Sequence, residues 1–418
     1  MKALRIMHNH SSHSRPVAAR RVDECDSLHD IFTQCLPSFG GAHLRRVYTI
    51  LDKAIGAGCP LTLAVAGPVT ISGQHQSWLI PLLETGWVAY LSTTDAVCYH
   101  DGHRALDGAK PADIQQVPIF GDDAKLLEEG TIRITDLGFP ESWLLDQDRF
   151  VSSLLQLPEF QRKMTGPEFR SLLGKRFGAL EKRNGVTPGL LSRCHDLAVP
   201  VFVGAPGDGS VFLNSMKLWA MRESGLIANY EFDLDLHGEV FDACAFHWWG
   251  LFDQPSRSLA TLILGGGVPK NFNLQPEPAL SQIFGLKDAH GYAFDVQIVT
   301  APVTDGSLSS CYPAEAVTWG KVDKDTYQQS TESLQADYST LMPFIVKALL
   351  DNRRRWERMA GEMGAETLFA RRPEARGYLR PRAGYRLMDR REALRSRLLE
   401  EVRNNGDWLR ETLHYPLP

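Results

Sequence analysis

What this chain has little of narrows its class before any motif is considered. No apolar run approaches the roughly 18 residues of a membrane-spanning helix. The first residues, Met1-Lys2-Ala3-Leu4-Arg5-Ile6, lack the long apolar segment of a secretory signal. The seven cysteines (25, 35, 59, 98, 194, 244 and 311) are scattered, odd in number and without a CxxC pair. That is poor material for a disulfide framework or a zinc site, and it suits a reducing compartment. A net charge of −5 and a pI near 6.2 argue against nucleic acid as the main partner. Lysine vanishes after Lys347: from Asp351 to the end there are 16 arginines and 11 acidic residues, a net of +5 that leaves about −10 for the rest. The expectation is a soluble, cytoplasmic protein with no membrane span, no nucleic-acid partner and no metal.

What is present is a core. With 418 residues and 43% hydrophobic content, the chain is long enough for one large α/β domain or two ordinary ones. Several apolar runs end in small or polar turns. They are 61–66 into Gly67-Pro68, 87–91 into 92–95, 199–203 into 204–210, 259–264 into Gly265-Gly266-Gly267, and 292–299 into Thr300-Ala301. Short continuous apolar runs bounded by glycine read as strands buried on both faces. Helical spacing lies between them, as at 74–85 and 212–223, so the pattern predicts a doubly wound, mostly parallel α/β sheet. Ligands of such folds bind beyond the carboxyl ends of the strands, where these turns fall. Residues 331–363 read as closing helices and 370–384 as a linker. Residues 387–415 return to helical spacing with Leu394, Leu398, Leu399, Val402, Leu409 and Leu413 as an apolar stripe. This extension docks on the body or on another subunit, or its arginines meet nucleic acid, a reading weakened by the interspersed acids. The division is 1–38, a partly flexible amino-terminal segment; 39–350, a cofactor-binding domain; and 351–418, an arginine-rich helical extension.

Three blocks can carry chemistry. Gly265-Gly266-Gly267-Val268-Pro269-Lys270 lets a backbone approach a ligand closely and aim N–H groups at phosphate oxygens, although it is neither a GxGxxG nor a Walker loop. Gly207-Asp208-Gly209-Ser210 and Asp305-Gly306-Ser307 place carboxylates at two strand ends, as ribose hydroxyls require; each turn alone also suits a helix cap. Together they suggest a dinucleotide laid across the strand ends. The third block, Glu315-Ala316-Val317-Thr318-Trp319-Gly320-Lys321, puts a carboxylate, an indole and an amine within seven residues. If the stretch is extended, Trp319 and Lys321 share one face. Desolvation by the indole would then lower the amine's basicity, so that it can attack an iminium or aldehyde carbon. Taken alone, the tripeptide Trp-Gly-Lys is weak, since most lysines are solvated. His8, His10 and His13 sit in a Ser/Asn-rich terminus and read as a tail rather than a metal site. Cys194-His195 and His247-Trp248-Trp249 lack spaced partners.

In their order, these blocks resemble the deoxyhypusine synthase family over roughly residues 39–350. The resemblance implies a homotetramer of Rossmann-like subunits with active sites shared across a dimer interface. It also implies NAD as an internal hydride carrier. A polyamine such as spermidine is oxidised, and its aminobutyl part is held as an imine on the lysine that matches Lys321. The positions matching the family's NAD contacts are Thr94, Asp208, Gly265, Gly266, Thr300, Ala301, Asp305 and Asp337.

The amine pocket departs from the family pattern. Leu213 and Leu308 stand where the family has aspartates, Asn271 where it has a histidine, and His100 where it has a glutamate, while Glu315 and Trp319 remain. Leucines cannot pair with ammonium groups, and an unpaired charge in a closed pocket is costly. The expectation is therefore an NAD-dependent alkylamine transferase working through Lys321 on a small-molecule acceptor, with Glu315, Trp319, Asn271 and His100 as substrate-binding positions. The alternatives are hydride transfer alone, a non-catalytic or regulatory NAD-binding homologue, or a true deoxyhypusine synthase acting on a protein lysine.

Overall fold

The computed structural model describes residues 17–106 and 114–414; the His8, His10 and His13 group lies outside them. Six strands form the central sheet: β1 (Leu61–Val65), β2 (Val88–Thr93), β3 (Val201–Val203), β4 (Ala260–Leu264), β5 (Phe294–Val299) and β6 (Thr331–Gln335). All neighbouring pairs are parallel, and the order across the sheet is 3-2-1-4-5-6. This is the doubly wound order in which the sense of winding switches between β1 and β4, opening a crevice beyond their carboxyl ends. β1 and β4 run in register from Leu61 opposite Ala260 to Val65 opposite Leu264. Both are buried along their whole length, as their mostly apolar sequences require.

The helices used below are α1 (Phe39–Gly56), α2 (Asp95–Asp101), α3 (Gly166–Asn184), α4 (Ser210–Glu223), α5 (Leu236–Trp248), α6 (Gly267–Leu274), α7 (Tyr338–Met363) and α8 (Leu387–Asn404). Alternate strand residues feed two cores. Leu61, Leu63 and Val65 pack with α1 and α7, while Tyr90 and Phe202 pack with α5 and α8 on the other side. Among the described residues, no helix is long and apolar enough to cross a membrane.

The closing segment differs from its sequence reading. Residues 331–335 form β6, an edge strand, before α7 begins at Tyr338. Its Thr-Glu-Ser-Leu-Gln sequence carries no continuous apolar run because the strand is covered unevenly along its length. A small antiparallel sheet (Gln115–Gln116, Thr131–Ile134, Leu137–Pro140) had no sequence counterpart either.

The extension is docked on the body. The Asp242 carboxylate of α5, fully buried, receives Arg391 Nε at 2.7 Å and also pairs with Arg395 of α8. The stretch read as a linker is anchored too. Tyr378 is buried with its hydroxyl on Asp52, Trp87 Nε1 donates to its carbonyl at 3.3 Å, and Arg353 reaches the carbonyls of Thr85 and Arg380. A side chain at Gly377 would lie 1.9 Å from the Ile55 carbonyl oxygen, so only glycine allows this approach. Several of the arginines thus turn inward onto acids and carbonyls, which is the docking alternative.

Candidate functional site

The crevice between β1 and β4 is built from glycine. Beyond β1, Gly67 has φ +92°; beyond β4, Gly265 has φ +81° and Gly266 precedes α6. The Leu264 carbonyl accepts from Ala66 N–H at 3.0 Å and the Ile298 carbonyl from Gly265 N–H at 3.1 Å, so the loop continues the sheet before turning. The Tyr338 hydroxyl donates to the Ala66 carbonyl at 2.6 Å, and its ring lies beside Gly265. A Cβ added at Gly266 would sit 3.2 Å from Ala66 Cβ. No side chain caps the start of α6, so its first N–H groups remain free to meet an anion, such as the pyrophosphate of a dinucleotide.

The other predicted cofactor positions stand at the same edge of the sheet. Thr94 follows β2 and precedes α2, Asp208 lies exposed in the turn after β3, and Thr300 and Ala301 follow β5 directly. Two of the carboxylates also have local tasks. Asp305 accepts from Ser307 N–H at 2.6 Å, and Asp337 caps α7 by accepting from Ser339 N–H at 2.9 Å.

Lys321 is reached through a compact turn rather than an extended stretch. Pro313–Ala316 is helical, Val317–Trp319 tightens to a 3₁₀ turn, and Gly320 at φ +70° reverses the chain. Lys321 N–H closes the turn on the Ala316 carbonyl at 3.0 Å. This geometry still brings amine and indole together, with Nζ 5.8 Å from the Trp319 ring centroid. Lys321 is half-buried, and desolvation holds its pKa below the ordinary lysine value, with Cys311 opposing. Trp319 and Glu315 are exposed, and among the described residues no ion pair joins Glu315 to Lys321.

Sequence reasoning missed the residue that links the two regions. Lys270, one turn into α6, is buried, and its Nζ donates to Gln297 Oε1 at 2.8 Å and to the Cys311 carbonyl at 2.6 Å. Burial lowers its pKa; Asp295, Cys311 and Glu315 oppose that, and Lys321 lowers it further. Its place in the glycine block was the available signal. One helix thus begins at the glycine cradle and, a turn later, grips the segment leading to Lys321. The backbone of Lys321 nevertheless lies toward the amino-terminal edge of the sheet, because Tyr292, two residues before β5, donates to its carbonyl at 3.0 Å. The length of β5 puts Thr300 on the order of 20 Å further along.

Asp295, beside Lys270, is fully buried. Desolvation pushes its pKa from 3.8 up to about 7, with Lys270 pulling it down. A carboxyl with a raised folded-state pKa adds stability below its unfolded value, and that contribution is lost as pH rises through about 7. Thermal melts should therefore show Asp295→Asn gaining on the wild type between pH 5 and pH 8. A wild type that gains on the variant over this range would contradict the assignment.

The remaining candidates fall elsewhere. Asn271 and Leu308 line a cavity of about 640 Å³ between the β3 turn, α5 and α6, with Val240, Val268 and Phe272 among its walls. Its one acidic side chain, Glu239, is paired with Arg170 at 2.7 Å. Leu213 is about half exposed on α4. His100 stacks on His103, with Nδ1 to Nε2 at 3.1 Å, and burial pushes its pKa down to about 4. No contact joins it to Lys321.

Comparisons with known proteins bear on the family. The family model described as Deoxyhypusine synthase matches residues 27–349. A deoxyhypusine synthase-like protein from Cyanothece sp. is 33% identical over 344 residues, covering 81% of this chain and 82% of its own length. One from Nostoc sp. is 33% identical, with 78% and 82% covered. A probable deoxyhypusine synthase 2 from Methanosarcina mazei is 28% identical, with 67% and 73% covered.

Proposed function

The chain belongs to the deoxyhypusine synthase family, and from that premise we propose an NAD-dependent transferase that carries an aminobutyl-type unit from a polyamine or related amine to a small acceptor amine. The observation that carries this reading is the half-buried amine of Lys321 beside the Trp319 indole, its basicity lowered by desolvation.

NAD, when bound, would take a hydride from the donor amine and return it to the product. Gly265 and Gly266 would hold its pyrophosphate against the uncapped start of α6, with Thr94, Asp208, Thr300, Ala301, Asp305 and Asp337 around it. The oxidised donor is an iminium, and neutral Nζ of Lys321 adds to its carbon. Expulsion of the original amine leaves the four-carbon unit as an imine on Lys321. The acceptor amine then adds to that carbon, Lys321 leaves as free amine, and reduction of the new imine completes the transfer. Trp319 would wall the imine from water, and Glu315 would hold a cationic end of the donor.

The distance between the Lys321 backbone and the glycine cradle within one chain favours active sites shared between copies, as in a homotetramer. The small acceptor follows from Leu213, Leu308 and Asn271, which offer no carboxylate for a second ammonium group. The same leucines favour, as a second reading, a homologue that binds NAD without catalysis.

Incubation with NAD and putrescine, agmatine or spermidine, followed by mass spectrometry of the small molecules, tests the proposal. A new secondary amine is expected. Tight NAD binding with no transfer from any amine would instead establish the second reading. Gly265→Ala should weaken NAD binding roughly tenfold or more in calorimetry, because its φ of +81° costs an L-residue about 1–2 kcal/mol and relief of that strain shifts the cradle backbone.

A further inference from the structure

We propose that Glu277 is a positioning residue for Lys321, acting through a closed ring of buried hydrogen bonds. The proposal rests on the reading that Lys321 is the reacting amine.

The Lys321 turn lies on the backbone of Gly291 and Tyr292. Tyr292 N–H donates to the Lys321 carbonyl, and the Tyr292 carbonyl accepts from Asp323 N–H, both at 3.0 Å. These two bonds bracket Val322, which is buried. Gly291, at φ +82°, packs so closely that a Cβ there would come within 2.7–2.9 Å of Val322 C, Asp323 N and the Gly320 carbonyl oxygen. Whatever holds Gly291 and Tyr292 therefore holds Lys321.

Glu277 holds both. Its Oε2 accepts from Gly291 N–H at 3.1 Å, and its Oε1 meets His247 Nε2. His247 Nδ1 lies 3.1 Å from the Tyr90 hydroxyl, and that hydroxyl 3.1 Å from the hydroxyl of Tyr292. The ring Glu277–Gly291–Tyr292–Tyr90–His247–Glu277 is thereby complete, and its four side chains are at most 1% exposed.

Donor accounting fixes the protons. The Tyr292 hydroxyl donates to the Asn273 carbonyl at 3.1 Å and accepts from Thr62 Oγ1 at 3.1 Å. Tyr90 must then donate to Tyr292, and His247 must donate from Nδ1 to Tyr90. The contact between His247 Nε2 and Glu277 consequently also contains a proton, whichever partner carries it. A carboxylate and an imidazole sunk in an apolar core are costly unless fully satisfied. Apolar residues would fill the same volume at least as stably. The output of this network is the geometry at Gly291 and Tyr292, directly beneath Lys321.

The test reads Lys321 itself. The rate at which an amine-selective acylating reagent modifies Lys321 is followed against pH by peptide mass spectrometry, in parallel with borohydride trapping in the presence of NAD and amine. Glu277→Leu removes the acceptor for Gly291 and the partner of His247. It should lower the trapped adduct roughly tenfold and move the acylation profile toward that of free lysine. Glu277→Gln can still accept from Gly291 and donate to His247 Nε2, so it should stay within about threefold of wild type. Asp52→Asn, which weakens the distant contacts to Tyr378 and Asn352, should lower the melting temperature and leave the acylation profile unchanged.

A folded Glu277→Leu protein with wild-type acylation overturns the proposal, as does an equal change in Asp52→Asn. If Glu277→Leu does not fold, Tyr292→Phe takes its place. That variant breaks the ring at its hub, and wild-type reactivity there would be equally contradictory. Acylation needs neither NAD nor turnover, so absence of a trapped adduct in the wild type defeats the transferase reading without deciding this one.

Discussion

Lys321→Arg is expected to abolish transfer, by on the order of 10³-fold or more in kcat, while leaving the fold intact. The guanidinium keeps the positive charge and can still lie against Trp319, but it does not lose its proton and cannot form the imine. Because Lys321 is half-buried and its side chain makes no hydrogen bond among the described residues, stability should move by only about 0.5 kcal/mol. NAD binding should also persist, since the glycine cradle lies at the other end of β5. Steady-state rates and a thermal melt on the same sample separate these outcomes. Turnover within tenfold of wild type would remove Lys321 from the reaction.

The largest stability effect is expected at Arg170→Met. Arg170 of α3 and Glu239 of α5 form an ion pair at 2.7 Å with side chains only 2% exposed. The pair braces β3, an edge strand hydrogen-bonded only to β2. Val203 N–H donates to Glu239 Oε1 and Arg170 Nη1 to the Val201 carbonyl, both at 3.3 Å, supplying partners that a second neighbouring strand would give a central strand. Glu239 Oε2 already has no partner. Removing the arginine leaves a buried carboxylate alone, which costs about 3–5 kcal/mol in urea denaturation. The double variant Arg170→Met/Glu239→Met should recover most of that loss, because no charge is left unpaired. A single variant that loses under about 1 kcal/mol would show that the pair is solvated in solution.

Five of the six strands were legible because both faces of each are covered, which forces mostly apolar runs such as Leu61–Val65 and Ala260–Leu264. β6 escaped notice because an edge position lets Glu332, Ser333 and Gln335 into a strand, and local composition does not tell that from a helix start. The positions of the glycine and Asp-Gly-Ser turns followed directly from the strand ends. The environment of Lys321 did not. Its Trp319 contact arises through the local turn at Gly320 rather than the extended stretch the spacing suggested, and the grip of Lys270 on Cys311 and the anchoring of Lys321 on Tyr292 depend on residues tens of positions apart. The arginine-rich extension could not be decided from charge, since the acids that receive Arg391 and Arg395 meet on Asp242, some 150 residues away.

Borohydride trapping tests the central claim most directly. The protein, NAD and each of putrescine, agmatine and spermidine are combined, reduced, digested and mapped by mass spectrometry. The account predicts a reduced alkylamine adduct on Lys321 with at least one of these amines, dependent on NAD and absent in Lys321→Arg. An adduct on another lysine, or none from any amine while NAD remains bound, would contradict it.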